Sequence, residues 1–560
     1  MSETNPPSVL DTRRDQMFPT LAPDEIDRLC RFGQPRSYSA GDAVVRVGEV
    51  GPGLALVLDG EIEVTQRDET GRTRQIVIHK RGNFMGELAQ LSGRPYLVDE
   101  IALTDTQIMA ISPDKLRALL IAEASLGERI MRALILRRVG LIESGAGPVV
   151  IGSEGDADVL RLTNFLRRNG QPHQRLDPET DSCGRTLVQR FSVATEELPI
   201  VLCPGGQILR NPSEGQLARC VGMVGPIDED RLFDVVIIGS GPAGLATAVY
   251  AGSEGLSVLM LDCRSFGGQA GASSRIENYL GFPTGISGIA LMARAFNQAQ
   301  KFGVEVAIPD EAVRLECGND PCRVDLATGE RIQARTVVIA TGARYRRLDV
   351  DRLEDFEGAS VHYWASPLEA DLCRGEDVAL VGGGNSAGQA TVFLAESAAT
   401  VTLIARRPLR ETMSQYLVER IEGLPNVTVV AGAEIAALKG QGGALESVCL
   451  RGRATGEESW RDVRHLFSFI GAQPNTDWLA ASGLQRDAQG FLLTGNVGRL
   501  PLETSREGVF AVGDVRSSSV KRVASAVGDG AQVVAAIHSY LARANEAAQA
   551  QSPGIAAVTA

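Results

Sequence analysis

Phe233-Asp-Val-Val-Ile-Ile-Gly239-Ser-Gly241-Pro-Ala-Gly244-Leu-Ala246 reads as a buried strand, a glycine turn and the opening of a helix. In such a turn Gly239 lets the chain reverse and Gly241 lets the backbone approach a pyrophosphate. Gly244, beside Ala243, allows the helix to pack tightly on the strand. The next apolar strand, Leu256–Leu261, ends in Asp262, 23 residues beyond Gly239, where a carboxylate can accept hydrogen bonds from a ribose diol. A glycine pattern alone is a weak signal; strand, helix and acid in register make a strong one.

The pattern recurs at Val378-Ala-Leu-Val-Gly382-Gly-Gly384-Asn385-Ser386-Ala-Gly388. Its following strand, Thr400–Ile404, ends not in an acid but in Ala405-Arg406-Arg407, with Arg406 24 residues beyond Gly382. Guanidinium groups there suit the 2′-phosphate of NADP(H), which a carboxylate would repel. The residues therefore predict two dinucleotide sites, FAD on the first copy and NADPH on the second.

The whole sequence is compatible with this. At 560 residues it has room for three to four domains, and 44% hydrophobic with 22% charged residues is ordinary for a globular chain. Glycine is in excess, 61 of 560, as tight nucleotide-binding turns require. A formal charge of −13 argues against a nucleic-acid surface. The five histidines (His79, His173, His362, His465, His538) show no metal-ligand spacing, so no metal site is expected. Nine cysteines, irregularly spaced and without a C-x-x-C pair, do not form the disulfide framework of a secreted protein. The start lacks an apolar signal core and no run of 18 apolar residues occurs, so a cytoplasmic chain without membrane contact is expected.

Over residues 230–545 the sequence resembles the low-molecular-weight thioredoxin reductase family. Further matches are Gly267-Gly268-Gln269, Ile276-Glu277-Asn278, Ala340-Thr341-Gly342, Gly471-Ala-Gln-Pro474-Asn475-Thr476 and Gly513-Asp514-Val515. The resemblance implies that Gln269 and Asn278 contact the flavin or its phosphates. It further implies that Asp514 and the Val515 backbone hold the ribityl chain and pyrophosphate, and that Lys521-Arg522-Val523 lie along the flavin edge. The family has Arg-Gln-Ala there, so this chain departs at all three positions while keeping a cation at 521. It also implies a discontinuous FAD domain, 230–345 plus 470–545, an NADPH domain at 346–469 inserted in it, and a homodimer.

One departure outweighs the matches. Where the family has Cys-Ala-Thr-Cys, this chain reads Val361-His362-Tyr363-Trp364-Ala365-Ser366-Pro367-Leu368-Glu369. Anchored on Val361, Trp364 and Pro367 take the cysteine positions; a one-residue slip gives Ala365 and Leu368. Neither has sulfur. His362, Tyr363 and Trp364 become the candidate catalytic residues covering the flavin face.

Upstream, within residues 15–142, the chain from about Ser37 to Leu103 alternates short strands with glycine turns, and two amphipathic stretches follow Ser112. Leu54-Ala-Leu-Val-Leu58, Asp59-Gly60 and Glu61-Ile-Glu-Val64 read as a hairpin. This stretch resembles the cyclic-nucleotide-binding domain of the catabolite-activator and kinase regulatory-subunit families. Gly86-Glu87 matches the ribose-binding turn, but the phosphate arginine aligns with Tyr96-Leu97-Val98 and is missing; Arg94 lies two residues away. Losing that charge-assisted bond costs about 1.5–3 kcal/mol. A β-roll kept for packing or for a different ligand is the favoured reading, a nucleotide ligand the other. Residues 148–226 resemble a thioredoxin or glutaredoxin domain, with Pro199 at the cis-proline position and Ser153-Glu154-Gly155-Asp156 where the thiols would stand. Cys203, on the strand after Pro199, reads as a small core residue, and the tail from Arg543 as disordered.

The expected architecture is multidomain α/β: a β-roll, a thiol-free thioredoxin-like module and two Rossmann-like units. The expected function is an NADPH-dependent flavin oxidoreductase passing electrons to a small protein or small molecule rather than a resident dithiol. Its rivals are a thioredoxin-disulfide reductase, a ferredoxin- or flavodoxin-NADP reductase, and a flavin-based redox sensor.

Overall fold

The computed structural model describes residues 12–551 except 68–72, 145, 154, 192, 195–196, 205, 226, 274, 319–320, 358, 366, 442 and 496–497. Two antiparallel four-stranded sheets form the N-terminal roll. One contains Gln34–Tyr38, Thr106–Ile111, Leu54–Asp59 and Phe84–Met85; the other contains Ala43–Val45, Asp99–Ala102, Ile62–Arg67 and Thr73–His79. The hairpin expected at Leu54–Val64 is not a paired one. Leu54–Asp59 pairs with Thr106–Ile111 and Phe84–Met85, while Ile62–Arg67 pairs with Thr73–His79 and Asp99–Ala102. The reason is burial: Leu54, Ala55, Leu56 and Val57 are covered on both faces, so that strand must be central to a sheet. The turn itself stands, with Gly60 at φ +87° and a Cβ there meeting the Asp105 carbonyl oxygen at 2.6 Å. Helices Pro113–Ala122 and Ala124–Glu143 close the roll.

The middle module is a mixed sheet ordered Gln174–Leu176, Val149–Ile151, Ile200–Leu202, Ile208–Arg210. The Leu198–Pro199 bond is cis. Asp156 caps helix Ala157–Arg168 by accepting from the amides of Asp158 and Val159; Glu154, in the expected thiol segment, lies outside the described residues. Cys203 is not a lone core thiol: it forms a disulfide with Cys220, at the end of helix Glu214–Cys220, across a Cα separation of 5.9 Å. Neither sequence spacing nor local pattern announces this pair, because tertiary packing alone brings the two elements together.

A seven-stranded sheet follows, in the order Glu305–Ala307, Val258–Leu261, Leu232–Ile238, Arg331–Ile339, Cys322–Leu326, Ala312–Glu316. Its seventh strand, Val509–Ala511, pairs in parallel with Arg331–Ile339 and comes from far down the chain. Between them lies a five-stranded parallel sheet ordered Val361–His362, His465–Ser468, Asp377–Val381, Thr400–Ala405, Val427–Ala431. The chain leaves the first sheet through Ala343–Tyr345 and returns through Ala472–Pro474, and these two crossings pair antiparallel. Of the tail expected to be disordered from Arg543 on, the described part, 543–551, is the end of helix Val523–Gln551, where Arg335 donates to the Asn545 side-chain oxygen, and the rest lies outside the described residues; helical propensity in Ala-rich Ala542–Gln551 accounts for the difference.

One short segment of the middle module, Arg168–Gln171, contacts both the roll and the first Rossmann unit. Arg138 donates to the Gly170 carbonyl (3.1 Å), the Gln171 side chain (2.6 Å) and Glu87 (3.3 Å). Asn169 donates to the Arg264 carbonyl at 3.1 Å, and the Arg168 guanidinium lies 5.0 Å from the Trp364 ring. Arg138→Met removes charge-assisted bonds worth about 1.5–3 kcal/mol. Limited proteolysis between residues 143 and 149 is therefore expected to accelerate by roughly tenfold or more, with flavin content unchanged.

Candidate functional site

The first glycine turn is shaped by steric necessity. Strand Leu232–Ile238 ends at Gly239 (φ +109°), where a Cβ would sit 2.3 Å from the Ala340 carbonyl oxygen. A Cβ on Gly244 would lie 1.9 Å from the Gly239 oxygen, so helix Pro242–Ser253 comes down on the turn only because residue 244 has no side chain. Gly241 differs: a Cβ there would meet nothing closer than the Gly268 Cα at 3.8 Å. That gap lies at a helix N-terminus, where the first amides have no intrahelical partner and the dipole favours an anion. The cradle thus has the open backbone approach that a pyrophosphate needs, and the residues fit FAD.

Around it, Asp262 accepts from the Ser240 amide (2.9 Å) and hydroxyl (2.8 Å) and from the Arg264 amide (3.1 Å). The acid thereby ties the second strand to the glycine turn. Gly268 heads the short helix Gly268–Gly271 against Gly241, while Gln269 and Asn278 are exposed beside it. Thr341 and Gly342 close the crossing: the Thr341 hydroxyl donates to the Asn475 carbonyl (2.9 Å), and the Asn475 amide to the Gly342 carbonyl (3.1 Å).

Gly513 packs on Ala243, a Cβ at 513 falling 2.8 Å from that of Ala243, and so brings Asp514 to the same helix start. Burial raises the Asp514 carboxyl, with Lys521 opposing. Lys521 donates to the Asp514 carbonyl and to Ser519, and its ammonium lies 4.3 Å from the Phe491 ring; Arg522 is exposed and Val523 opens the last helix. The sequence did not single out Arg516 and Asp529. Their bidentate pair (2.9–3.0 Å) fixes this turn, and Asp529 also accepts from the Gly513 amide at 3.0 Å. The only available signal was an arginine directly after Gly513-Asp514-Val515.

The second turn is built alike. Gly382 has φ +152° and a Cβ there would meet the Phe469 oxygen at 2.7 Å, whereas Gly384, which caps helix Asn385–Leu394, is open. Asn385 accepts from the Ser414 amide at 2.7 Å, so its carbonyl orients the next loop; Ser386 is exposed. Arg406 and Arg407 stand exposed at the end of strand Thr400–Ala405, Arg406 within 3.7 Å of Glu434. Two exposed cations at the end of this strand fit NADP(H), whose 2′-phosphate a carboxylate there would repel.

His362, Tyr363 and Trp364 diverge. His362 is buried on its strand, its Nε2 3.1 Å from His465 Nδ1 and its ring stacked 4.8 Å from Phe467; burial, then His465, pushes it down to about 4. The Tyr363 hydroxyl donates to Glu357, and burial and that bond raise the phenol. Trp364 Nε1 donates to Glu369 at 2.8 Å. Trp364 alone of the three meets the middle module. Ser366 lies outside the described residues. The nearest cysteine in sequence, Cys373, is fully buried in the apolar core of the five-stranded sheet, and burial pushes its thiol up to about 12. Among the described residues no cluster of His, Cys, Asp or Glu could hold a metal ion.

Residues 233–530 match the pyridine nucleotide-disulphide oxidoreductase family, more than half of the chain. The chain belongs to that family. Residues 35–123 match the cyclic nucleotide-binding domain. The oxidoreductase is 32% identical over 325 residues to the thioredoxin reductase of Bacillus subtilis (strain 168), spanning 57% of this chain and 98% of that one. It is 35% identical over 298 residues to the thioredoxin reductase of Mycolicibacterium smegmatis (53% and 93%). It is also 32% identical over 311 residues to the NADH dehydrogenase of B. subtilis (56% and 59%). Among solved structures it resembles T. acidophilum thioredoxin reductase, with TM-score 0.52 and 30% identity over 55% of this chain and 99% of that one. The oxidoreductase is therefore a thioredoxin reductase-like unit behind an N-terminal cyclic nucleotide-binding domain, and membership implies flavin and NADP(H) use. No helix among the described residues is long and apolar enough to cross a membrane.

Inside the roll of the oxidoreductase is a cavity of about 210 Å³, lined in part by Gly86, Glu87, Tyr96, Glu100 and Arg137. Tyr96, at the phosphate-arginine position, donates its hydroxyl to the Gly53 carbonyl. Arg94 does not line the cavity; it is half-buried, its guanidinium lowered to about 10 by desolvation and then Arg138, with Glu87 opposing.

Proposed function

We propose that the chain is an NADPH-dependent FAD oxidoreductase whose electrons leave for an acceptor other than a dithiol beside the flavin. The single observation that carries this is the segment Val361–Glu369, which has no sulfur where its relatives' family places a cysteine pair. The bound flavin would accept a hydride from the nicotinamide and hand two electrons on. The chain's own residues bind and orient: Gly241 and the helix Pro242–Ser253 amides take the pyrophosphate, Asp514 the ribityl chain, and Arg406 with Arg407 the 2′-phosphate. Trp364, held between Arg168 and Glu369, restricts access from the middle module.

The Cys203–Cys220 disulfide does not replace the missing pair. Arg219, next to Cys220, lies 3.8 Å from Asp310, whose amide donates to the Asp262 carbonyl at 2.9 Å. That end of helix Glu214–Cys220 therefore sits by Asp262, the acid that would hold the FAD ribose.

The names of the relatives favour a second reading, reduction of thioredoxin. Steady-state turnover with NADPH separates the two: quinones or ferricyanide should be reduced and thioredoxin should not, and thioredoxin turnover at a comparable rate would reverse the assignment. Trp364→Ala should raise the rate with small quinones several-fold while leaving flavin reduction by NADPH unchanged, since it removes one indole bond and one cation–π contact and no cofactor ligand. An unchanged rate with every acceptor would take Trp364 out of the site.

A further inference from the structure

The most completely built unassigned site is the cavity in the β-roll. Four buried side chains at its wall each keep an atom with no hydrogen-bond partner among the described residues: Arg137 Nη2, His79 Nδ1, Glu87 Oε2 and Glu100 Oε2. Unpaired buried polar atoms are costly, and several in one cavity point to a missing polar partner. Arg137 is the best defined. Its Nε donates to the Met17 carbonyl (2.9 Å), its Nη1 to the Gly86 carbonyl (2.8 Å), and its guanidinium lies 5.2 and 4.6 Å from the Phe18 and Phe84 rings. The group is locked in place with one nitrogen to spare.

The charge balance favours an anion. Burial raises Glu100 to about 8, so near neutral pH it is a carboxylic acid able to donate its proton in a hydrogen bond. Glu87 is already paired through its other oxygen with Arg138 at 3.3 Å. His79 is held neutral by burial, then by Arg137. Arg14 and Arg74 add further cations to the lining. Val64, Ile76, Val77, Val98 and Leu141 give the lining an apolar part, while Gln66, Gln75 and Ser144 add neutral polar groups.

Size narrows the ligand. An apolar cavity of about 150 Å³ accepts one benzene molecule, and sites for drug-sized ligands begin near ~300 Å³. At about 210 Å³ this cavity suits a single ring bearing one acid group. Of the three lining arginines only Arg137 is buried, Arg14 and Arg74 being exposed, and a single buried guanidinium matches a carboxylate monoanion better than a phosphate, whose larger charge needs more donors when buried.

We propose that the β-roll cavity binds a small monocyclic carboxylate, its oxygens held by Arg137 Nη2 and the unpartnered Glu100 Oε2, with the ring among the valines and Leu141. The site differs from cyclic-nucleotide recognition in both its cation, which comes from helix Ala124–Glu143 instead of the strand turn, and its occupant.

Calorimetric titration of the full-length flavin-loaded protein tests this, with benzoate and phenylacetate as probes, benzyl alcohol as the uncharged isostere and cyclic AMP as the competitor. At least one acid should bind about 10- to 100-fold more tightly than benzyl alcohol, the scale of a charge-assisted bond. Arg137→Gln should abolish that preference, and Glu100→Gln, which keeps a neutral donor, should preserve it within about threefold. Cyclic AMP should neither bind nor displace the acid. Equal affinity for acid and alcohol, no binding of either acid at millimolar concentration, or displacement by cyclic AMP would each overturn the proposal. The wild-type comparison decides the matter even if Arg137→Gln fails to fold.

Discussion

Gly241→Ala should give a folded protein that purifies without its yellow chromophore, while Gly244→Ala should scarcely fold at all. The two glycines stand three residues apart in one turn, and what surrounds each Cβ position differs. At 244 the new methyl would lie 1.9 Å from the Gly239 carbonyl oxygen and 3.3 Å from the Ala340 Cβ. Backbone is the obstacle, so the helix must lift from the strand, at a cost of about 3 kcal/mol or more. At 241 the chain has φ −72° and ψ −174°, which any residue adopts, and the nearest atom to a new Cβ is 3.8 Å away. The free protein loses nothing there and gains a few tenths of a kcal/mol from the stiffer unfolded chain. The methyl instead occupies the approach of the pyrophosphate, where overpacking by about 2–3 kcal/mol corresponds to roughly 30- to 150-fold weaker FAD binding. The check is the ratio of absorbance near 450 nm to that at 280 nm, set beside the unfolding temperature. Full flavin content in Gly241→Ala would show that the pyrophosphate lies elsewhere.

Nicotinamide specificity carries the second large effect. Replacing both Arg406 and Arg407 with alanine should raise KM for NADPH by about 10- to 100-fold, from loss of charge-assisted bonds to the 2′-phosphate. Both arginines are exposed and Arg406 shares Glu434 with Arg453 at 3.7 and 3.5 Å, so the lower half of that range is expected. The rate with NADH should change by less than about twofold, because the adenosine without its phosphate makes no demand on a cation. Equal loss with both nucleotides would mean that the arginines support the fold and not the specificity.

What the sequence made legible was what a single residue's stereochemistry dictates. Gly239, Gly244 and Gly382 are forced by backbone approaches that no side chain survives, and they stand where the turns are. Asp262 was legible as the acid ending the second strand, but its bonds to Ser240 were not, since they depend on two strand ends meeting. The Arg516–Asp529 clamp and the Cys203–Cys220 bridge were missed for the same reason: each joins elements brought together only by packing. The hairpin at Leu54–Val64 was misread because Asp59-Gly60 marks a turn without saying which strands then pair. Adjacent Arg137 and Arg138 look alike in sequence. One faces the cavity of the roll and the other fastens the roll to the middle module, a division set by their places around a helix.

An anaerobic titration with NADPH shows whether the reduced flavin of this oxidoreductase has a sulfur couple to discharge into. Bleaching of the flavin should be complete after one equivalent of NADPH per flavin, with no thiols gained by the protein. Consumption of a second equivalent, accompanied by two new titratable thiols and sustained reduction of thioredoxin, would contradict it.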